Sequence, residues 1–215
     1  GQSRAIFVSA PAGVGKSRLI EEFKIYSQLS EIPFAQGICN EQGMSAYEPV
    51  VNALTQLIPI TPPLALVKYA PILAHLLPRL VDQGFEPKAD FDPRNQKIAL
   101  FETVVEWLRD VAAQKKYKSL VLFVDDLHWS DLASIDLLNF LIRELGEARV
   151  LVMGSFRDDE LPANSPLWQT IEEQASVQLT IQPFTPGHVA ELIEKMLRHV
   201  DYKPDFIPYF YGATS

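Results

Sequence analysis

Residues 5–17 read Ala-Ile-Phe-Val-Ser-Ala-Pro-Ala-Gly-Val-Gly-Lys-Ser, an apolar run followed by a glycine-broken turn, a lysine and a hydroxyl. This order predicts a β-strand, a tight turn and the first turn of a helix. Gly13 and Gly15 leave room for a ligand close to the backbone, whose N–H groups can point inward. Lys16 and Ser17 then provide a cation for phosphate oxygens and an oxygen ligand for Mg²⁺. The stretch is therefore a candidate phosphate cradle.

The motif departs from the P-loop consensus, Gly-x-x-x-x-Gly-Lys-Ser/Thr, at one position. Ala10 stands where the consensus has its first glycine, and alanine is the mildest replacement for it. A strand-to-helix turn with an exposed lysine would produce a similar pattern without binding a ligand. The second half of a nucleotide site would distinguish these two interpretations.

Such a second half is found at residues 120–126, Leu-Val-Leu-Phe-Val-Asp-Asp. Five consecutive apolar residues predict a strand buried on both faces, as in a parallel sheet covered by helices. Asp125 and Asp126 would lie at its carboxyl end, where open α/β sheets bind ligands. A phosphate-binding loop needs such a carboxylate to hold the metal through water and to activate the attacking nucleophile. Two solvated acids in a turn are the alternative.

Length and charge exclude several classes of protein. The chain has 215 residues, a net charge of −8 and 47% apolar residues, so we expect one globular domain, or one domain with a small appendage. The acidic balance argues against a broad nucleic-acid surface. No run approaches the ~20 apolar residues of a membrane helix, and the amino terminus does not resemble a signal peptide, so we expect a cytoplasmic protein. The single cysteine, Cys39, is assigned no role.

Short apolar strands alternate with amphipathic helices, which predicts an α/β fold with a mainly parallel five-stranded sheet. The expected strands lie near 5–10, 34–39, 119–125, 149–156 and 177–182. A proline-rich, apolar stretch at about 59–93 predicts a helical insertion between strands 2 and 3. The helix after the loop is expected to bury Leu19, Ile20 and Phe23. The predicted fold is that of a P-loop NTPase, a three-layer sandwich.

Three motifs, in this order, resemble one family. Residues 12–19 (Ala-Gly-Val-Gly-Lys-Ser-Arg-Leu) and 124–131 (Val-Asp-Asp-Leu-His-Trp-Ser-Asp) resemble the Walker A and Walker B regions of STAND regulators, signal-transduction relatives of the AAA+ ATPases. Residues 154–161, Gly-Ser-Phe-Arg-Asp-Asp-Glu-Leu, are similar to the Gly-x-x-Arg-x-x-Glu-Leu stretch of that family. Close relatives occur in large LuxR-like transcriptional regulators and in proteins that carry class III adenylyl cyclase or protein kinase domains.

The resemblance implies a role for each matching residue. The nucleotide would be held by the loop and the start of the helix, at Ala12, Gly13, Val14, Gly15, Lys16, Ser17 and Arg18. Lys16 would bridge the β- and γ-phosphates of ATP, and Ser17 and Asp125 would hold Mg²⁺, Asp125 through water. Asp126 would orient or deprotonate the attacking water, and Arg157 would sense the γ-phosphate. The implied catalytic residues are therefore Asp126, Lys16 and Arg157, with ATP and Mg²⁺ as cofactors.

Alternatives remain open for two of these residues. Asp126 could be a second carboxylate of the metal shell without a base function. Arg157 could form an ordinary salt bridge to Asp158, to Asp159 or to one of the strand-end acids.

The rings of His128 and Trp129 also match the family. Rings that follow a strand more often pack than take part in chemistry, so we expect structural support from this pair.

The resemblance also divides the chain into domains. It implies an NTPase domain at 1–200 and the start of a truncated helical lid at 201–215, because residues 208–212 (Pro-Tyr-Phe-Tyr-Gly) resemble the lead-in to that lid. The upstream elements and the Gly-x-Pro segment that hold adenine in relatives do not occur in 1–215. The implied partners are ATP or ADP, sensor and effector domains of the same full-length chain, and a second copy in nucleotide-dependent self-association.

The function implied is a Mg·ATP-binding, slowly hydrolysing regulatory switch domain of a multidomain signalling protein. Three alternatives stay open. An AAA+ loader or remodeller would add a ring-type arginine finger and basic pore or DNA-facing loops. A small-molecule kinase would add an acceptor pocket and an arginine-rich lid. A binding module would hold ATP without hydrolysing it.

Overall fold

A five-stranded parallel sheet forms the centre of the fold. The computed structural model describes residues 4–42, 45–89, 96–162, 164–197 and 206–214. The strands are β1 (Arg4–Ser9), β2 (Phe34–Ile38), β3 (Leu120–Asp125), β4 (Val150–Phe156) and β5 (Val177–Thr180). They run in the order β2-β3-β4-β1-β5, with every described pairing parallel. The predicted α/β class and its five strands are confirmed.

The described part of the chain has nine α-helices, the last two of which follow β5. They are α1 (Lys16–Leu29), α2 (Glu48–Thr55), α3 (Pro63–Leu73), α4 (Pro78–Asp82), α5 (Gln96–Ala112), α6 (Leu132–Glu144), α7 (Pro166–Gln174), α8 (Pro186–Leu197) and α9 (Phe206–Thr214). From β1 to β2, α1 crosses the sheet in one direction, whereas α6 crosses in the other from β3 to β4. Right-handed crossovers therefore place α1 and α6 on opposite faces.

The predicted helical insertion lies between β2 and β3 and contains α3 and α4. A proline in the first turn begins α2, α3 and α4, where its missing N–H has no intrahelical acceptor to lose. The insertion packs onto the rest of the domain through α5, whose Trp107 donates from Nε1 to Thr61 Oγ1 at 2.9 Å. Residues 90–95, at the end of the predicted insertion, lie outside the described part of the chain.

Both faces of β3 are buried, as its continuous apolar sequence predicts. Leu120, Leu122 and Val124 belong to the core on the side of α5 and α6. On the other face the ring centroid of Phe123 lies 5.8 Å from that of Phe34. Phe34 in turn contacts Phe23 of α1 at 6.0 Å. Core side chains therefore cover β3 on both faces, between β2 and β4 in the sheet.

The predicted buried face of α1 is partly wrong. Ile20 is buried and Phe23 is half-buried, but Leu19 is 46% exposed. The buried residues of α1 are Lys16, Ile20 and Ser27. At about 100° of rotation per residue, Leu19 lies about 80° from the centre of this stripe, at its margin, so its side chain is partly exposed.

A close contact between β2 and α2 produces the first prediction. A Cβ on Gly37 would lie 1.8 Å from the backbone oxygen of Pro49, so neither element can stay in place if a side chain is added. Gly37→Ala should therefore lower the free energy of unfolding by about 3 kcal/mol, measured by urea denaturation. Gly187→Ala, in α8 with no atom closer than 3.7 Å to the added Cβ, is the matched control. It should change the stability by less than about 1 kcal/mol, and an equal effect of the two substitutions would contradict the prediction.

The contacts divide the chain into two units, residues 1–180 and 181–215. The second unit contains α8 and α9, which contact each other. The predicted domain boundary, between residues 200 and 201, lies outside the described residues, so it stays a prediction. None of the described helices is both long enough and apolar enough to cross a membrane.

Candidate functional site

The loop between β1 and α1 has the backbone that its glycines predict. Gly13 has a φ of 80° and Gly15 a φ of 97°, in the left-handed region that strains other residues. Ala10 is fully buried, and its φ is not positive. Its N–H donates to the carbonyl oxygen of Phe156 at 3.4 Å. The missing first glycine of the consensus is therefore compatible with this loop, because the backbone at Ala10 does not need glycine.

The start of α1 offers donors to an anion. Gly15 is the N-cap residue and provides no side-chain cap, so the first N–H groups of this 14-residue helix lack intrahelical partners. Beside them lies a cavity of about 290 Å³. The residues that line this cavity come from the loop, from the end of β3 and from the end of β4: Pro11, Ala12, Gly13, Gly15, Lys16, Ser17, Asp126 and Arg157.

Most of the predicted site residues meet at this cavity, but three of them do not line it. Val14 is half-buried in the loop. Arg18 forms ion pairs with Glu21 and Glu22 on the solvent side of α1, and its side chain is 71% exposed. Asp125 lies next to the cavity rather than in its wall.

Lys16 connects the loop to the acids of β3. Its Nζ donates to Asp126 Oδ1 at 2.6 Å and lies 3.7 Å from Asp125 Oδ1. It also donates to the hydroxyl of Ser155 at 3.0 Å. Lys16 is only 8% exposed, so these carboxylates compensate a nearly buried cation. Asp126 has a φ of 55°, a conformation that aspartate and asparagine tolerate better than most residues.

Ser155 was missed in the sequence analysis. It is fully buried near the end of β4 and hydrogen-bonds to Lys16, to Asp125 and to the backbone of Asp126. The available signal was its place in the motif Gly-Ser-Phe-Arg, two residues before Arg157, but the spacing alone does not reveal these contacts.

The oxygen atoms of the side chains at the cavity are suitable ligands for Mg²⁺. Ser17 lines the cavity with a hydroxyl, and the carboxylates of Asp125 and Asp126 lie beside it. Among the described residues, no three His, Cys, Asp or Glu side chains converge into a metal site of their own. Mg²⁺ suits such an incomplete set, because it binds through few protein ligands and completes its shell with water and phosphate oxygens.

The side chain of Arg157 forms a cluster with those of Glu160 and Trp129. Its Nη1 donates to Glu160 Oε1, and its guanidinium lies 5.4 Å from the ring centroid of Trp129. A salt bridge does exist, as one alternative proposed, but its partner is Glu160 rather than Asp158, Asp159 or one of the strand-end acids. Glu160 lies three residues further along the β4–α7 loop, where its carboxylate can fold back onto Arg157.

His128 connects this cluster to the end of β3. Its Nδ1 accepts from the backbone N–H of Arg157 at 3.3 Å, and its Nε2 lies 3.2 Å from Glu160 Oε2. Burial lowers the pKa of His128 below its ordinary value of 6.5, although Asp126 and Glu160 act in the opposite direction. The ring of Trp129 lies beside it, tilted by 45°, with 4.5 Å between the ring centroids. Both rings therefore support Arg157, as predicted.

Two further contacts position the loop between β3 and α6. Asp131 caps α6 by accepting from the N–H of Ser134 at 2.9 Å, and it also accepts from the N–H of Tyr47 at 3.3 Å.

Cys39 is buried beside the end of β3, and burial raises its pKa to about 12. It is therefore a neutral, packed thiol near pH 7.

Comparison with known families identifies this combination of sheet, loop and acids. Residues 1–153 match the sequence model of the AAA ATPase domain. The chain belongs to the AAA ATPase domain family. The matched range includes the P-loop and both acids of β3, and it supports nucleotide binding by this AAA ATPase domain. Ser155 and Arg157 lie beyond the matched range. No curated protein is significantly similar to this AAA ATPase domain.

Three solved structures illustrate more distant likenesses. The alignment with a chain of the HORMA:CdnC:Trip13 complex of E. coli MS115-1 covers 97% of this protein and 58% of that chain, at 11% identity and a TM-score of 0.47. The ORC1 protein of Aeropyrum pernix in complex with DNA aligns with 96% and 47%, at 14% identity and a TM-score of 0.44. PCH-2 of C. elegans aligns with 91% and 40%, at 10% identity and a TM-score of 0.41. This AAA ATPase domain thus spans between 40% and 58% of those chains.

Proposed function

We propose that this AAA ATPase domain is a STAND-class switch, which binds Mg·ATP, hydrolyses it slowly and regulates a multidomain signalling protein. The observation that carries the proposal is a single cavity that brings together Lys16 and Ser17 of the P-loop, Asp126 after β3 and Arg157 after β4. Three adjacent parallel strands end at this cavity, which is where open α/β sheets bind their ligands.

Each residue would have a distinct part in binding and hydrolysis. Orphan N–H groups and Lys16 would bind the phosphates, because positive charge and backbone donors converge there. Mg²⁺, when bound, would neutralise charge on the β- and γ-phosphate oxygens, and Ser17 and Asp125 would hold it. Asp126 would accept a proton from a water that attacks the γ-phosphorus in line with the breaking bond to ADP. The products would be ADP and inorganic phosphate.

The cluster around Arg157 supports a switch rather than simple binding. A γ-phosphate in the cavity would compete with Glu160 for the guanidinium of Arg157, since both are anions. Glu160 also contacts His128, at 3.2 Å, so a change at Arg157 would alter contacts in both loops that carry the site. Sensor and effector domains of the full-length chain are the proposed readers of this change, together with nucleotide-dependent self-association.

Calorimetric titration of ATP, ADP and GTP, each with Mg²⁺, tests the proposal, with phosphate release measured at the same occupancies. We expect saturable binding of ATP and ADP, weaker binding of GTP and slow release of phosphate. Occupancy by ATP without any phosphate release would favour the module that only binds. If no nucleotide binds to this chain, and none binds to a longer stretch of the protein, the proposal is contradicted.

A further inference from the structure

We propose that Ser155 is a positioning residue, which orients the carboxylate of Asp125 towards the metal and provides a neutral anchor for Lys16. This inference rests on the proposed function, because it concerns how the same cavity holds Mg·ATP. Ser155 belongs to β4, which lies between the strand that leads into the P-loop and the strand that carries the acids. Its side chain is therefore the only described hydroxyl that bonds to both halves of the site.

The direction of each hydrogen bond follows from the partners. The ammonium of Lys16 and the N–H of Asp126 can only donate, at 3.0 and 3.2 Å from Ser155 Oγ. A hydroxyl has one proton to donate and two lone pairs to accept with. The proton of Ser155 is therefore directed to Asp125 Oδ1, with which Oγ is hydrogen-bonded. All three bonding capacities of this fully buried hydroxyl are in use.

These contacts orient Asp125. Its Oδ1 receives the hydroxyl of Ser155 and also the N–H of Asp126, at 3.1 Å, whose single proton is shared between Asp125 Oδ1 and Ser155 Oγ. Two donors on one oxygen hold the side chain in a single orientation, and within the described residues no hydrogen bond is seen to Oδ2. Oδ2 is thus the atom that remains to accept a hydrogen bond from a metal-bound water. Removing a residue that hydrogen-bonds to a metal ligand typically lowers the affinity for the metal by about 10- to 100-fold.

The experiment uses four proteins: the wild type, Ser155→Ala, Ser155→Thr and Ser155→Val. Threonine and valine both add a methyl group at this fully buried position, but threonine keeps the hydroxyl where valine has a second methyl group. ATP affinity is measured by calorimetry with Mg²⁺ and again with EDTA, phosphate release is followed in parallel, and thermal unfolding reports the fold. The ratio of the two affinities isolates the contribution of the metal from that of the P-loop.

We expect the wild type and Ser155→Thr to bind ATP more tightly with Mg²⁺ than with EDTA. In Ser155→Ala and Ser155→Val, the ratio of ATP affinity with Mg²⁺ to ATP affinity with EDTA should fall by about tenfold or more. Their affinity in EDTA should stay within about threefold of the wild type, because Lys16 keeps Asp126 as a partner. Phosphate release should fall in the same two variants and recover in Ser155→Thr.

Other outcomes overturn the inference. If Mg²⁺ increases the ATP affinity of Ser155→Ala as much as that of the wild type, the hydroxyl does not position the metal ligand. The same follows if Ser155→Thr and Ser155→Val lose this increase equally. Loss of binding in EDTA, or failure of Ser155→Ala to fold, would assign Ser155 to the P-loop or to folding instead. If threonine and valine do not fold, the comparison of alanine with the wild type decides. A wild type that binds no nucleotide would contradict the proposed function itself, and with it this inference.

Discussion

Lys16→Ala is expected to lower the affinity for Mg·ATP by about 100-fold or more, to the point where calorimetry detects no saturable binding. Loss of one partner from a poorly hydrated charge pair costs about 2–5 kcal/mol, and about 2.7 kcal/mol corresponds to 100-fold. The environment of Lys16 places it at the upper end of this range. Its side chain is 9% exposed and lines the cavity beside Ser17 and Arg157, so water cannot replace its ammonium efficiently.

The loss must be separated from unfolding. Lys16 compensates Asp126 at 2.6 Å, so its removal leaves two neighbouring carboxylates without their cation. Asp126 remains 22% exposed and can be hydrated, so we expect the fold to persist by circular dichroism. Lys24→Ala is the matched control, because it removes the same charge from α1 outside the cavity. Among the described residues, Lys24 donates to the side chain of Gln36 at 3.0 Å. Wild-type affinity in a folded Lys16→Ala protein would contradict the assignment of the P-loop.

Asp126→Asn is expected to keep nucleotide binding and to lose about 10²–10⁴-fold in turnover, the usual contribution of a general base. The amide has nearly the shape of the carboxylate, and asparagine tolerates the φ of 55° at this position. Its oxygen can still accept from Lys16. What the amide cannot do is take a proton from water, so the chemical step should fail while the cavity stays intact. Titration calorimetry and phosphate release, measured on the same samples, check both parts.

Asp136→Asn is the matched control for this substitution. It makes the same chemical change on the exposed face of α6, where Asp136 pairs with Lys97 at 2.8 Å, and it should leave binding and turnover unchanged. Equal turnover in Asp126→Asn and the wild type would remove the base function and leave Asp126 as a carboxylate of the metal shell. A loss of binding would instead indicate that its main part is to orient Lys16.

The buried strands were predictable because a buried strand needs an apolar sequence. A central parallel strand is covered on both faces, so β3 needs an unbroken apolar run, and residues 120–124 provide one. Helix faces are harder to predict at their margins. Leu19 and Ile20 are adjacent and equally apolar, and only the position of α1 on Phe34 exposes one and buries the other.

The site residues, too, divide into those that could be predicted from the sequence and those that could not. Gly13, Gly15 and Lys16 could be recognised because a phosphate loop requires positive φ and a cation within a few residues. Glu160 and Ser155 could not, because neither residue type nor spacing reveals which side chain will meet Arg157 or Asp125 after the strands align. The alternative to phosphate sensing gave Arg157 a salt bridge to Asp158, Asp159 or a strand-end acid, whereas the loop after β4 directs Glu160 to it.

Local sequence by itself determined the class of sheet, the P-loop and the pair of acids, since each depends on residues that are neighbours along the chain. Only the tertiary structure decided that Asp126 rather than Asp125 faces the cavity, and that Ser155 joins Lys16 to Asp125. The physical reason is distance along the chain. Lys16, Asp125 and Ser155 are far apart in sequence, and the order β3-β4-β1 alone brings them within hydrogen-bonding range.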